Sequence, residues 1–300
     1  MITITYIITV YNKEKYIANV IKALKNIQGN FRKEFIIIDD GSTDNSRAII
    51  ESAILGLPKT IVVSQKNQGP AIAVNQGIAL AHGDYVHFTD GDDIIAKDAT
   101  EFLLGACKTM NSEVALGLRG NYDIETNKLV QSKREGGEVI LIDSPIKAIL
   151  EGKIPGIRRI GSSGSLVRRS LLEKISGADT GVFVQDLSIS LRCAKYSKFA
   201  FLPKTTSYSP SVYTSNNLSH NKEFEAYSTL LAIANFMRDN EEIAEQFKIE
   251  LYRSLCSTVW KIDKYSLEYL PRYLLAKFIK RNMSIEDLQE LYNKYIARLL

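Results

Sequence analysis

The sequence predicts an α/β protein in which a parallel sheet with helical crossovers is followed by a helical C-terminal region. Three observations carry this. Through the first third of the chain, apolar runs of strand length alternate with segments of helical period, the pattern of strands joined by crossover helices. Two of those runs end at an aspartate, Asp39 and Asp90, where loops leaving a sheet carry polar groups. Beyond His220 glycine and proline become scarce and the periodicity turns helical through to Leu300.

The strand candidates are residues 2–10, 35–39, 60–64 and 84–89. Between the first two, Ile17, Val20, Ile21, Leu24 and Ile27 fall on one helical face, which Gly29 ends. Residues 46–55 and 71–81 are the next two crossovers. A helix is expected over 98–110 and a strand over 113–118, after which 120–137 is polar and turn-rich, the composition of a hairpin or loop. "DSPIKAILEG" reads as a short helix with Ser144 as N-cap, Pro145 at its first position and Gly152 after its end. "GSSGSLVRRSLLEKIS" passes from a Gly/Ser turn into a strand and then a helix, and Asp186 opens another helix.

At 300 residues the chain is long enough for one large α/β domain, or for one domain plus a helical appendage. An apolar fraction of 45% and a charged fraction of 24% are those of a soluble globular protein, and no uninterrupted apolar stretch reaches the length of a bilayer span. The opening "MITITYIITVYN" has no basic n-region and no small-residue cleavage site, so it reads as a buried strand and the cytoplasm is the expected compartment. Cys107, Cys193 and Cys256 are far apart and odd in number, which fits buried thiols and neither a disulfide framework nor a CxxC site. A formal net charge of +4, with no basic stripe interleaved with aromatics, argues against nucleic acid as a partner.

In "DYVHFTDGDDII", residues 84–95, Asp90, Asp92 and Asp93 crowd together directly after an apolar strand. Such a cluster is either a solvated surface turn or a site for a divalent cation that favours hard oxygen ligands. An EF-hand loop is excluded, because Ile95 stands where the sharp-turn glycine is required and Ile94 where an oxygen ligand belongs. Ends of separate strands converge in an α/β fold, so three segments belong to one region: "TVYN" ending the first strand, "IIIDDGSTDNS" the second and "HFTDGDD" the fourth.

The order and spacing of these segments, with "NQGPAIAVNQG" between the last two, resemble the N-terminal half of the family-2 glycosyltransferases. Those are inverting enzymes of GT-A fold, a Rossmann-like mixed sheet flanked by helices, that use nucleotide-diphospho-sugars. The resemblance is specific over residues 1–93 and thinner to about Pro203. It implies a glycosyltransferase domain over 1–218, with a nucleotide-binding half at 1–93 and an acceptor-binding half at 94–218, ahead of a helical region at 219–300.

Carried over residue by residue, the resemblance implies that Thr9, Tyr11 and Asn12 line the nucleotide-sugar site, with the Tyr11 ring stacked on the base. Asp39 would accept from the imide N–H of uracil, and Gly41 would permit the tight turn after it. Lys66, Asp90, Gly91 and Asp93 complete that site. Lys66 is one candidate for the diphosphate, with Arg158 and Arg159 as others, since Val74 stands where many relatives carry arginine. Asp92 is the implied ligand of Mn²⁺ or Mg²⁺, with His220 as a second candidate. Asp186 is the implied base in "VQDLSIS", where Gln185 replaces the glutamate that usually precedes it. A plain helix cap is the other reading of Asp186, and of Ser42 or Asp44 in "DDGSTD". An aspartate at its ordinary pKa of ~3.9 is a weak base, so a desolvated or carboxylate-flanked Asp186 with a raised pKa is expected.

The implied donor is a UDP-sugar and the implied acceptor a glycan or glycolipid, in the setting of a bacterial surface glycan such as lipopolysaccharide or capsule. Transfer of one sugar is expected, because the QxxRW signature of processive synthases is absent. "PRYLLAKFIKR", residues 271–281, interleaves basic and apolar residues and lies either on a membrane surface or against the body or a second copy of the chain. Two other functions stand beside this one. A sugar-1-phosphate nucleotidyltransferase would need a glycine-rich basic loop after the first strand, which "TVYNKEKYI" lacks. A nucleotide-sugar-binding relative without turnover is favoured only by Gln185.

Overall fold

The structure is a computed structural model, and it describes residues 1–152, 163–211 and 222–254 apart from positions 248 and 252. Arg158, Arg159, His220, Cys256 and residues 271–281 lie outside the described residues, as does most of the helical region expected over 219–300.

β1 (Thr3–Val10) and β2 (Arg32–Asp39) run parallel with Val10 opposite Asp39, joined by α1 (Ile17–Lys25). α2 (Ser46–Ala53) crosses to β3 (Thr60–Ser64), parallel to β2. α3 (Pro70–Leu80) then returns the chain to β4 (Tyr85–Asp90), which lies parallel to β1 on its other side. The strand order therefore reverses at β1, and the carboxyl ends of β1, β2 and β4 form the switch point beyond which open α/β sheets bind their ligands. β1 and β2 are continuous apolar runs because both their faces are covered. Tyr6, Ile8, Phe35 and Ile37 pack with Val20, Leu24 and Leu103, while Ile7, Ile36 and Ile38 pack with Ala73 and Val74 of α3.

The second half adds β5 (Ile94–Ile95), α4 (Ala99–Thr109), β6 (Val114–Tyr122), β7 (Leu129–Val130), β8 (Ile140–Ile142) and α5 (Pro145–Leu150). These are followed by β9 (Ser165–Arg168), α6 (Arg169–Lys174), α7 (Gln185–Ala194), β10 (Phe199–Pro210), α8 (Lys222–Arg238) and α9 (Glu241–Gln246). β9 pairs antiparallel with both β4 and β6, which turns the parallel half into one mixed sheet of order β3-β2-β1-β4-β9-β6-β10-β5. β7 folds back on the end of β6 as the expected hairpin, its turn held by Asp123 Oδ1, which accepts from the backbone N–H groups of Glu125 and Thr126.

Three strands were not anticipated from the sequence: β5, β8 and β10. β10 interrupts its apolar start with Pro203 and continues through "KTTSYS", yet Thr205, Thr206, Ser207 and Ser209 are all buried. The ladder to β6 shifts register between Phe201 and Thr205, so Pro203 falls at an irregularity where no ladder N–H is required of it.

A buried polar group crosses the apolar layer between sheet and α4. His87 Nδ1 and the Tyr6 hydroxyl each lie within hydrogen-bond distance of Thr100 Oγ1, at 2.9 and 2.8 Å. Burial pushes the His87 imidazole down from 6.5 to about 3. Below pH 6.5 the unfolded chain takes a proton that the folded chain refuses, so this contribution to stability is lost as pH falls from 6.5 towards 3. Urea midpoints recorded across that window should fall with pH, and the slope should flatten in His87→Phe.

Candidate active site

The loops after β1 and β2 are laced together. Asn12 takes a positive φ of 52°, which asparagine tolerates better than most residues. Its N–H donates to Ser42 Oγ at 3.0 Å and its Oδ1 accepts from the Thr43 N–H at 2.8 Å. The Lys13 N–H donates to Ser46 Oγ at 2.7 Å and the Glu14 N–H to Asp44 Oδ2 at 3.1 Å. In return Glu14 Oε2 accepts from the Asn45 N–H at 3.0 Å. Tyr11, directly after β1, keeps 39% of its surface exposed, so its aromatic ring is open to solvent at that strand's carboxyl end. Ser42 and Asp44 thus tie two loops together, and the N-cap position of α2 falls to Asn45.

The two aspartates ending β2 have different surroundings. Asp39 is buried and accepts from the Ser42 N–H at 3.1 Å and Ser64 Oγ at 3.2 Å. Asp40 turns the other way, accepting from the Gln68 and Gly69 N–H groups at 3.0 and 2.9 Å and from Gln65 Nε2 at 2.6 Å. It thereby satisfies donors at the start of α3. Gly41 between them and the loop has φ +74°, and a Cβ there would lie 2.7 Å from the Asn67 backbone nitrogen, so only glycine fits. Lys66 is exposed on the loop that Asp40 holds.

Beyond β4 the acidic cluster is enclosed. Thr9 pairs in register with Asp90, whose N–H donates to Ser163 Oγ at 2.8 Å. The Gly91 N–H donates to the Thr9 carbonyl at 2.9 Å, and a Cβ on Gly91 would press on that carbonyl at 3.0 Å. Asp92 and Asp93 are both buried. Lys13 Nζ lies 2.6 Å from Asp92 Oδ2, and Arg119 Nη2 lies 3.6 Å from Asp93 Oδ2. The Tyr122 hydroxyl donates to the Asp92 carbonyl at 2.8 Å. Burial first, then the Asp93 and Asp92 charges, hold the Asp90 carboxyl well above the ordinary carboxylate range, against the pull of Arg119. Burial likewise raises Asp93, with Arg119 pulling it back. The solvated surface turn is therefore excluded as a description of this segment.

Asp186 is the second residue of α7 and is half-buried. Val184 occupies the N-cap position, and Asp186 Oδ1 accepts from the adjacent Leu187 N–H at 2.7 Å. Its charge is the least of those that raise Asp90.

Sequence reasoning missed Lys13, Arg119, Tyr122 and Ser163. A signal existed for the first: three adjacent carboxylates need cations, and Lys13 directly follows the Asn12 that was already placed in the site. Arg119 and Tyr122 lie on a strand whose extension past Leu118 was not anticipated.

The donor set suits a divalent cation. Among the described residues Lys13 and Arg119 are the side-chain cations beside Asp92 and Asp93, and Asp90 is raised first by burial and then by those two carboxylates. Mg²⁺ and Mn²⁺ take hard oxygen ligands, often one or two protein carboxylates completed by substrate phosphate and water. Among the described residues no group of three His, Cys, Asp or Glu side chains forms a full metal cage, which a site completed by substrate oxygens does not require. A cation at Asp92 would compete there with Lys13.

The Glycosyl transferase family 2 model matches residues 5–176 of the chain. EpsH of Bacillus subtilis (strain 168), which carries a provisional glycosyltransferase name, is 30% identical over 275 residues, 86% of this chain and 77% of that protein. A poly-beta-1,6-N-acetyl-D-glucosamine synthase of Staphylococcus aureus (strain COL) is 28% identical over 190 residues, 62% of this chain and 44% of its own length. The crystal structure of S. aureus TarS in complex with UDP-GlcNAc matches with a TM-score of 0.57 at 17% identity, covering 92% of this chain and 87% of that one. That likeness shows a GT-A fold, a mixed sheet flanked by helices.

Proposed function

The chain belongs to glycosyl transferase family 2, and from that premise we propose that it moves a single sugar from a UDP-sugar to an acceptor hydroxyl with inversion, Asp186 acting as base. The observation that carries this reading is the meeting of Asp39, Asp90, Asp92 and Asp93 at adjoining strand ends, with the Asp186 charge felt at Asp90.

In this reading the exposed Tyr11 ring stacks on uracil and Asp39 accepts the imide N–H with its remaining lone pairs. Thr9, Asn12 and Gly91 shape the floor, Lys66 reaches the diphosphate and Asp93 faces the sugar. Asp92, with Asp90, would hold Mn²⁺ or Mg²⁺, which when bound offsets charge developing on the departing UDP. Asp186 takes the proton of the acceptor hydroxyl as that oxygen bonds to the anomeric carbon and the bond to UDP breaks, which inverts the configuration. The half over 94–218 receives the acceptor, a glycan or glycolipid of a bacterial surface polymer. Residues 271–281 then serve for contact with a membrane surface, or with the body or a second copy of the chain; among the described residues no helix is long and apolar enough to cross a membrane.

Melting temperature against a panel of nucleoside diphosphates and UDP-sugars, with and without Mn²⁺, tests the reading, because a ligand selective for the folded state must raise it. TarS was crystallised with UDP-GlcNAc, which makes that the first donor to include. The expected result is stabilisation by one UDP-sugar that needs Mn²⁺ and disappears in Asp92→Asn. No shift with any nucleotide would overturn the proposal.

A further inference from the structure

α7 begins without a side-chain cap of its own, although it carries Asp186 in its first turn. The start of a helix leaves backbone N–H groups without intrahelical partners, and an unsatisfied start is free to fray or tilt. One of these donors, the N–H of the N-cap residue Val184, and the N–H of the residue before it are met from a distant part of the chain. Ser228, buried on α8, accepts with its Oγ from the N–H groups of both Phe183 and Val184, at 2.9 and 2.7 Å. One hydroxyl thus fixes the last two residues before the helix that presents Asp186.

The loop leading there is tied down at further points. Asn235, also on α8, donates from Nδ2 to Asp179 Oδ2 at 2.8 Å, and Asp179 Oδ1 accepts from the Gly181 N–H at 2.8 Å. At the start of the loop, Asn75 of α3 exchanges two hydrogen bonds with the Ala178 backbone, at 2.8 and 2.7 Å. The segment from Ala178 to Val184 is therefore clamped between α3, whose first turn is held by Asp40 beside Asp39, and α8.

We propose that Ser228 is a positioning residue for Asp186, and that α8 is part of the catalytic scaffold. The inference rests on Asp186 being the base. A displacement of about 1 Å in a reacting group costs on the order of a hundredfold in rate without altering what the rest of the site binds. Removing the hydroxyl should act on turnover and spare the donor, because Ser228 touches the base loop and neither Tyr11, Asp39 nor the acidic cluster is among its partners here.

The test is steady-state kinetics of UDP release from the UDP-sugar that most stabilises the wild type, together with UDP affinity by calorimetry. Ser228→Ala should lower kcat by roughly ten- to a hundredfold with KM for the donor and UDP affinity unchanged, and Ser228→Thr, which keeps the hydroxyl, should restore most of the rate. Should Ser228→Ala not fold, Asn235→Ala loosens the same loop at Asp179 and should give the same split. Unchanged kcat in a folded Ser228→Ala protein overturns the inference, as does an equal loss in kcat and UDP affinity. Asp186→Asn measured alongside separates the two readings: if it retains the wild-type rate, the base assignment itself fails; if it is inactive while Ser228→Ala is not impaired, only the clamp fails.

Discussion

Asp186→Asn should lower turnover by roughly 10²–10⁴-fold, the range ascribed to a positioned general base, while UDP binds as tightly as to the wild type. Asparagine keeps the size of the side chain, and its amide oxygen can still accept from the Leu187 N–H that Asp186 Oδ1 holds at 2.7 Å. The turn of α7 therefore survives the change, and what is lost is the capacity to take a proton. The residues proposed for the donor are separate from α7, on β1, β2, β4 and the loops after β1, β2, β3 and β4. Kinetics with calorimetric UDP affinity check the prediction, and near wild-type turnover in the variant would remove Asp186 from the mechanism.

Asp40→Ala should cost about 2–3 kcal/mol of stability, the scale of losing hydrogen bonds to a charged acceptor, whereas Asp39→Asn should weaken UDP binding at least tenfold with a small change in stability. The two residues are adjacent, yet their loads differ. Asp40 accepts from two backbone N–H groups at the entry to α3 and from Gln65, so its loss uncaps a helix packed on the sheet. Asp39, the residue proposed to meet uracil, holds Ser42 and Ser64 more loosely at 3.1 and 3.2 Å. Urea midpoints and UDP affinities of both variants check the division. A reversal, with Asp39→Asn unfolding the protein and Asp40→Ala losing only the nucleotide, would show that the roles are exchanged.

The parallel half was legible in the sequence because its signals are local and redundant. Ile17, Val20, Ile21 and Leu24 are buried as their helical spacing required, and residues 60–64 form the strand that their apolar run suggested. Asp39 and Asp90 end their strands as expected. The second half was less legible because tertiary pairing overrides local composition there. Thr205, Thr206 and Ser207 look like loop residues but are buried by neighbours far away in the chain, including β6 and the Ser163–Gly164 turn. Lys13 reaches Asp92 across 79 positions of sequence, so its only signal was its place directly after Asn12 together with the need of the carboxylates for a cation.

The lacing of the loops after β1 and β2 decides when the cost of order is met. Asn12, Lys13 and Glu14 are already fixed to Ser42, Thr43, Asp44, Asn45 and Ser46 before any ligand arrives. Folding itself has spent that conformational entropy, so an incoming nucleotide has little backbone left to immobilise and keeps more of its contact energy as affinity. In the proposed reading the nucleotide end is in this sense a socket and not a jaw, and changes in sugar or acceptor preference can accumulate in the other half of the sheet without loosening the grip on the shared handle.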